Sequence, residues 1–195
     1  MNRKYLGDAL DYWKGLMLNL LRSDGGLRSL KVEPMITSRD WGALEDQFYL
    51  SLLRLPEDSL LRHAQRLTVD RRAYFLEIEH GGDIFLDPDT GIATSSASPI
   101  CKYLKPKEVH HLLGNGPDDR VLVIYQHIGR NKRTHERLTD VVDCLRRDSP
   151  ISARSYESAT VAMLIISRNE RRISQIGKIL YAYCGSAAEE RIGQW

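Results

Sequence analysis

The sequence predicts an α/β fold: a mostly parallel sheet flanked by helices and closed by a C-terminal antiparallel hairpin. Three observations point to it. Helical and strand-like stretches alternate along the chain, the pattern of a parallel sheet with crossover helices. Val121-Leu122-Val123-Ile124-Tyr125 is continuously apolar and bounded by turn signals, as a central strand covered on both faces must be. Residues 152–157 and 160–167 read as two strands joined tightly through Ser158-Ala159.

The 195 residues suit one domain, 1–195, with a helical insertion around 41–80, and are enough to bury a proper core. Hydrophobic residues at 42% and charged residues at 28% are the proportions of a globular chain in water. No apolar run approaches the ~18 residues of a membrane span, and no secretory signal is visible. Cys101, Cys144 and Cys184 are odd in number, far apart and without metal-ligand spacing, so reduced thiols and a cytoplasmic setting are expected. A net charge of +2 is too small to demand a nucleic-acid partner, which shifts the weight to local arginine patches.

In chain order, 7–22 reads as an amphipathic helix capped by Asp8, with Leu10, Trp13, Leu16, Met17, Leu20 and Leu21 as its buried face. Asp11 and Lys14, three apart, are neighbours on its surface. Asp24-Gly25-Gly26 ends it. Residues 30–37 follow as a first strand, with Pro34 marking an edge or a bulge. The next helix spans 41–55, with Leu44, Phe48, Leu52 and Leu55 on one side, and Pro56 interrupts it. Two more helical pieces are expected at 60–67 and 70–80.

Ile84-Phe85-Leu86 is too short for a helix and rich in strand formers. It reads as a buried strand between a Gly-Gly turn and the stop at Pro88. The small, polar stretch 94–99 reads as a mobile loop, either a lid or a connector. A helix over 106–113, with Pro106 in its first turn, leads to the strand at 121–125 and completes a βαβ unit. A helix over 134–147 turns Leu138, Val141, Val142 and Leu145 inward. The last helix spans 170–184, and the remainder is a tail. A sheet of parallel strands ending in a hairpin is Rossmann-like, and Rossmann-like methyltransferases end their sheet in this way.

Three constellations carry chemistry. The first is Gly7-Asp8-x-x-Asp11-x-x-Lys14. It reads either as a capped helix with one surface ion pair of little worth, or as an acid and a lysine at the ligand edge of the sheet. The second is Asp87-Pro88-Asp89-Thr90-Gly91, just past a strand end, where open α/β sheets bind ligands. Asp and Gly favour turns for local reasons. Two close carboxylates also suit Mg²⁺, and an Asp-Pro turn can offer a carboxylate and carbonyls to an amino group. The third is Tyr125-Gln126-His127-x-x-Arg130, which reads either as a helix-entry loop with incidental polar groups or as a site with a histidine suited to base or ligand roles and an arginine suited to phosphate. Arg130, Lys132, Arg133, Arg137, Arg146 and Arg147, then Arg168, Arg171 and Arg172, form basic runs. Such runs are usually solvated faces, or else bind phosphate backbones.

Taken together, the three motifs resemble those of a bacterial protein family of no settled function, over roughly residues 4–137. A more distant likeness is to the ribosomal-RNA adenine-N6 methyltransferases. That family carries a Gly-Asn-x-x-Asp-x-x-Lys helix before its first strand and an Asp-Pro-Pro-Tyr motif after its fourth. Gly7, Asp11 and Lys14 match the first pattern, with Asp8 replacing Asn. Asp87 and Pro88 match half of the second, while Asp89 and Thr90 replace the second proline and the base-stacking aromatic. At the first strand, where the family has a glycine-rich turn against S-adenosylmethionine, Met35-Ile36-Thr37-Ser38-Arg39 has no glycine.

The resemblance implies a methyltransferase-like sheet and an enzyme, or a descendant of one, directed at nucleic acid or a nucleotide. Its S-adenosylmethionine site would be degenerate. Asp87, Asp89, His127 and Lys14 are the expected catalytic residues. Gly7, Asp8, Asp11 and Lys14 would seat the cofactor, and Gln126, Arg130, Arg133 and Arg137 would hold RNA or DNA. Two other expectations stand beside it. One is a Mg²⁺-dependent nuclease or phosphohydrolase using Asp87 and Asp89, with Lys14 or His127 assisting. The other is a non-catalytic nucleic-acid-binding protein relying on Arg130, Arg133 and Arg137.

Overall fold

A computed structural model describes residues 1–62, 66–67, 70–94, 102–128, 133–185 and 190–195. A short 3-10 turn, Arg3–Tyr5, leads into α1 (Ala9–Ser23) and β1 (Lys31–Glu33). Then come α2 (Ala43–Leu53), a 3-10 turn Glu57–Ser59, α3 (Arg71–Leu76) and β2 (Ile84–Leu86). The pair β3 (Gly91–Ile92) and β4 (Tyr103–Leu104) precedes α4 (Pro106–Gly114), β5 (Val121–His127) and α5 (Thr134–Arg146). The chain closes with β6 (Ser152–Glu157), β7 (Val161–Ser167), α6 (Glu170–Cys184) and β8 (Ile192–Gln194).

Six strands form one mixed sheet in the order β1-β2-β5-β7-β6-β8. The first three are parallel, with Val32 opposite Phe85 and Phe85 opposite Val123. β7 runs antiparallel between β5 and β6, so the hairpin's second strand, not its first, meets the parallel set. β3 and β4 make a separate parallel pair. This is a mixed α/β architecture compatible with a Rossmann-like fold.

Strand residues alternate between two cores. Val32, Phe85, Val121, Val123, Met163 and Ile165 face α1, α2 and α6. Ile84, Leu86, Leu122, Ile124, Leu164 and Ile166 face α3, α4 and α5. The central strands are therefore apolar at every position because both faces are covered. α1 and α2 approach closely at Gly15, where a Cβ would lie 2.2 Å from the Leu52 carbonyl oxygen. At the amino ends of β2 and β5, Asp83 accepts from the backbone N–H groups of Arg28 and Val121 and from the Arg172 guanidinium.

Several sequence expectations need correction. The first strand is only Lys31–Glu33, since Pro34 cannot donate to the ladder and Met35 adopts φ +49°. Leu16 is 52% exposed, whereas Lys14 and Leu18 are buried, so the inward stripe of α1 is rotated from the expected one. In α2, Leu44 and Phe48 face solvent, and Tyr49, Leu50 and Leu53 face the core. The helix expected over 60–67 is absent at its described ends. There Leu60 bridges Val32 and Arg66 bridges Ile36, as short parallel extensions of the sheet edge.

The expected tail instead contains β8, which pairs with β6, and Trp195, whose ring stacks on His135 at 5.0 Å. Most of the loop expected at 94–99 lies outside the described residues. Between β1 and β2 the helices among the described residues are α2, the 3-10 turn and α3, in place of the helical insertion expected around 41–80.

Candidate functional site

The site is built outward from the start of α1. Gly7 has φ +87°, a conformation costly for any residue with a Cβ, and a Cβ there would meet the Phe48 ring at 3.0 Å. Asp8 caps the helix, accepting from Leu10 N and Asp11 N. Asp11 Oδ2 accepts from Gly7 N at 2.8 Å and its Oδ1 from Lys14 Nζ at 2.9 Å. Three of the four motif residues thus fix the geometry of the fourth.

Lys14 then reaches across to the second motif. Its ammonium lies 2.9 Å from Asp87 Oδ2, which also accepts from the Tyr49 hydroxyl at 2.7 Å. The same ammonium sits over the Tyr125 ring, 4.3 Å from its centroid. The expected surface pair is a buried one: Asp11 and Asp87 are each 1% exposed and Lys14 is 3% exposed. Burial opposes the Lys14 charge, yet Asp87 and Asp11 together hold its pKa well above the ordinary lysine value. Burial pushes the Asp11 carboxyl up, with Lys14 pulling it back. Burial, reinforced by Asp87, also pushes the Tyr49 hydroxyl far up, so it stays a donor.

Pro88 sends the next carboxylate elsewhere. Asp89 Oδ1 lies 3.1 Å from the Met1 ammonium, and its Oδ2 accepts from the Thr37 hydroxyl at 2.9 Å. The Met1 ammonium also donates to Pro34 O at 2.9 Å and Met35 O at 2.6 Å. Asp87 and Asp89 are therefore served by separate cations. Among the described residues no group of three or more His, Cys, Asp or Glu side chains is placed to hold a metal.

The third motif interlocks with the second. Gly91 has φ +103°, and a Cβ on it would lie 2.3 Å from Gln126 Oε1. Gln126 is fully buried. Its Oε1 accepts from Ile92 N at 2.8 Å, and its Nε2 donates to Thr90 O and His127 O. Its amide is thus spent on backbone, and its place in the site is to hold the 90–92 segment in position.

His127 is exposed, and its backbone N–H donates to Thr90 O at 3.2 Å. Arg137 was expected to be a phosphate contact, but its guanidinium donates to Thr94 Oγ1 and Ile92 O. Arg133 is exposed just before α5, and Arg130 and Lys132 lie outside the described residues.

Together these groups line a cleft of about 400 Å³ formed by Met1, Asn2, Tyr5, Asp8, Leu10, Asp11, Lys14, Asp87–Thr90, Lys102, Tyr125 and His127. It lies beyond the carboxyl ends of β2 and β5. A larger hollow of about 550 Å³ lies by Arg22, Lys31 and Asp58, at the amino end of β1, and holds none of the three motifs. Sequence reasoning missed Tyr49, Thr37 and Tyr5. Tyr49 is one residue along from Phe48, and α2 has apolar residues on both sides, so its pattern picks out no single face.

No family model matches the chain, and no curated protein matches it. No helix among the described residues is long and apolar enough to cross a membrane.

Proposed function

We propose that the chain is a nucleotide- or nucleic-acid-directed protein of methyltransferase-like fold, and that the cleft between Asp87 and His127 receives a base. One observation carries the reading: residues from all three motifs, spread over more than a hundred positions of sequence, line one cleft beyond the ends of parallel strands. The hairpin closing the parallel set adds support for the methyltransferase-like sheet. The cleft brings four carboxylates, Asp8, Asp11, Asp87 and Asp89, against Lys14, Lys102 and the Met1 ammonium. That balance suits a donor-bearing group, such as the exocyclic amine of a base, better than a bare phosphate. Lys14 stays charged and cannot act as a base, and its work is to hold Asp87 and Asp11 in place.

S-adenosylmethionine fits poorly at the end of β1. Close approach of a cofactor to that backbone favours residues without a Cβ. The turn instead carries Met35 at φ +49° with its side chain buried, and no glycine as far as Arg39. The Pro34 and Met35 carbonyls already accept from the Met1 ammonium. In this reading the cofactor site is degenerate and base binding is what the sheet retains. A metal-dependent phosphohydrolase ranks second, since a metal ion would have to lie beside or displace the cations already paired with these carboxylates, Lys14 at Asp87 and the Met1 ammonium at Asp89.

A thermal-shift panel tests the reading, with nucleoside monophosphates, S-adenosylhomocysteine and Mg²⁺ run separately on wild type and His127→Ala. A ligand at a hundredfold excess over Kd stabilises the folded state by about 2.7 kcal/mol. A rise in Tm is expected with nucleotides, reduced in His127→Ala. No shift with any nucleotide contradicts the reading, and a shift with S-adenosylhomocysteine contradicts the degenerate cofactor site.

A further inference from the structure

The residues that follow Asp87-Pro88 are Asp89 and Thr90, so that turn carries no aromatic face for a base to stack on. The cleft has two tyrosines elsewhere in its lining, Tyr5 and Tyr125. Tyr125 is buried and its ring already faces the Lys14 ammonium. Tyr5 is different: it lines the cleft, yet 55% of it is exposed to solvent.

The backbone beneath Tyr5 is heavily anchored. Tyr5 N donates to Asn2 O at 3.0 Å, and Tyr5 O accepts from Asp8 N at 3.2 Å. Arg3 N donates to Ser38 Oγ, and the Arg3 guanidinium pairs with Asp40 and Glu45 at 2.8 and 2.7 Å. Asn2 Oδ1 accepts from Lys4 N and from Ser38 Oγ. The Lys4 ammonium lies 5.8 Å from the Tyr5 ring centroid. A turn tied down on every side holds an aromatic ring in water at the cleft wall. That is the arrangement of a stacking platform whose backbone is already ordered.

We infer that Tyr5 is a substrate-positioning residue, whose ring stacks on the planar base of a nucleotide or single-stranded nucleic acid entering the cleft. The inference rests on the nucleotide reading above. Its ligand class is a nucleobase, recognised by its π-face at Tyr5 and by its amine donors at the carboxylates. Base–aromatic stacking is sequence-tolerant, so Tyr5 sets affinity and placement, not base identity.

The test measures equilibrium binding of adenosine 5′-monophosphate and of a fluorescein-labelled single-stranded adenylate oligomer. Wild type is compared with Tyr5→Ala, Tyr5→Phe and the control Tyr183→Ala, an exposed tyrosine on α6 outside the cleft. Tyr5→Ala is expected to weaken binding about 5- to 150-fold, the range of one lost base–aromatic stack. Tyr5→Phe should stay within about twofold of wild type because it keeps the π-face, and Tyr183→Ala should be unchanged. Wild-type binding with Tyr5→Ala equally tight overturns the inference and leaves the nucleotide reading standing. Loss in Tyr5→Phe as large as in Tyr5→Ala assigns the effect to the hydroxyl and overturns stacking. Failure of wild type to bind either probe overturns both.

Discussion

Lys14 joins the first motif to the second, and its energetics follow from where its charge is buried. Removing one partner of a buried ion pair leaves the other charge without compensation, at a cost of about 3–5 kcal/mol. Lys14→Met should lose that much in urea unfolding, and a loss under about 1 kcal/mol would show that Asp11 and Asp87 do not depend on it. Tyr49→Phe keeps the ring against Trp41 and removes only the hydroxyl bonded to Asp87. A hydrogen bond to a charged group is worth about 1.5–3 kcal/mol, and denaturation should show a loss in that range. The sequence spacing made Asp11 and Lys14 neighbours but did not reveal their burial. The inward stripe of α1 runs through Asp11, Lys14, Leu18 and Leu21, so its first turns are charged. A search for apolar periodicity rotates the stripe toward Leu10, Trp13 and Leu16.

At the scale of elements, the 90–92 segment and the end of β5 lock together through Gly91 and Gln126. Gly91→Ala should destabilise by about 1–3 kcal/mol through its positive φ alone, with the clash against Gln126 adding to it. Pairing it with Gln126→Ala removes the clash, so the double mutant should be more stable than the sum of the two single losses. Additive losses in that cycle would contradict the interlock. Elements that carry their own local pattern were legible: β5 from its continuous apolar run, α5 from its periodicity, and the β6–β7 hairpin from two strand-like runs and a tight join. Elements decided by distant partners were not. Leu60 and Arg66 are extended because β1 and the segment after it offer an edge to pair with, and β8 exists because β6 does. The face of α2 escaped for a related reason, since Leu44, Phe48, Tyr49, Leu50, Leu52 and Leu53 leave apolar residues on both sides and only the packing of α1 at Gly15 selects one.

For the whole molecule, the buried polar groups of the site and of the Tyr74–Glu33 pair make stability fall on the alkaline side. Lys14, Tyr49, Tyr74 and Tyr125 all have folded-state pKa values raised above their ordinary values of 10.5 for lysine and 10.0 for tyrosine. Burial drives the three tyrosines up, and the two carboxylates drive the lysine up. Above about pH 10 the unfolded chain releases these protons while the folded chain keeps them, so stability falls as pH rises. Each proton retained contributes about 1.4 kcal/mol per pH unit. Urea unfolding between pH 8 and 11.5 should show a level stretch and then a steep decline, and a level profile throughout would contradict the buried network. The central claim, that three distant motifs form one base-binding cleft, is tested most directly by a ¹H–¹⁵N chemical-shift titration with adenosine 5′-monophosphate. The expected result is saturable shifts confined to Tyr5, Asp8, Asp87, Asp89, Thr90, Lys102, Tyr125 and His127. Shifts clustered instead at Arg22, Lys31 and Asp58, or no shifts at all, would contradict it.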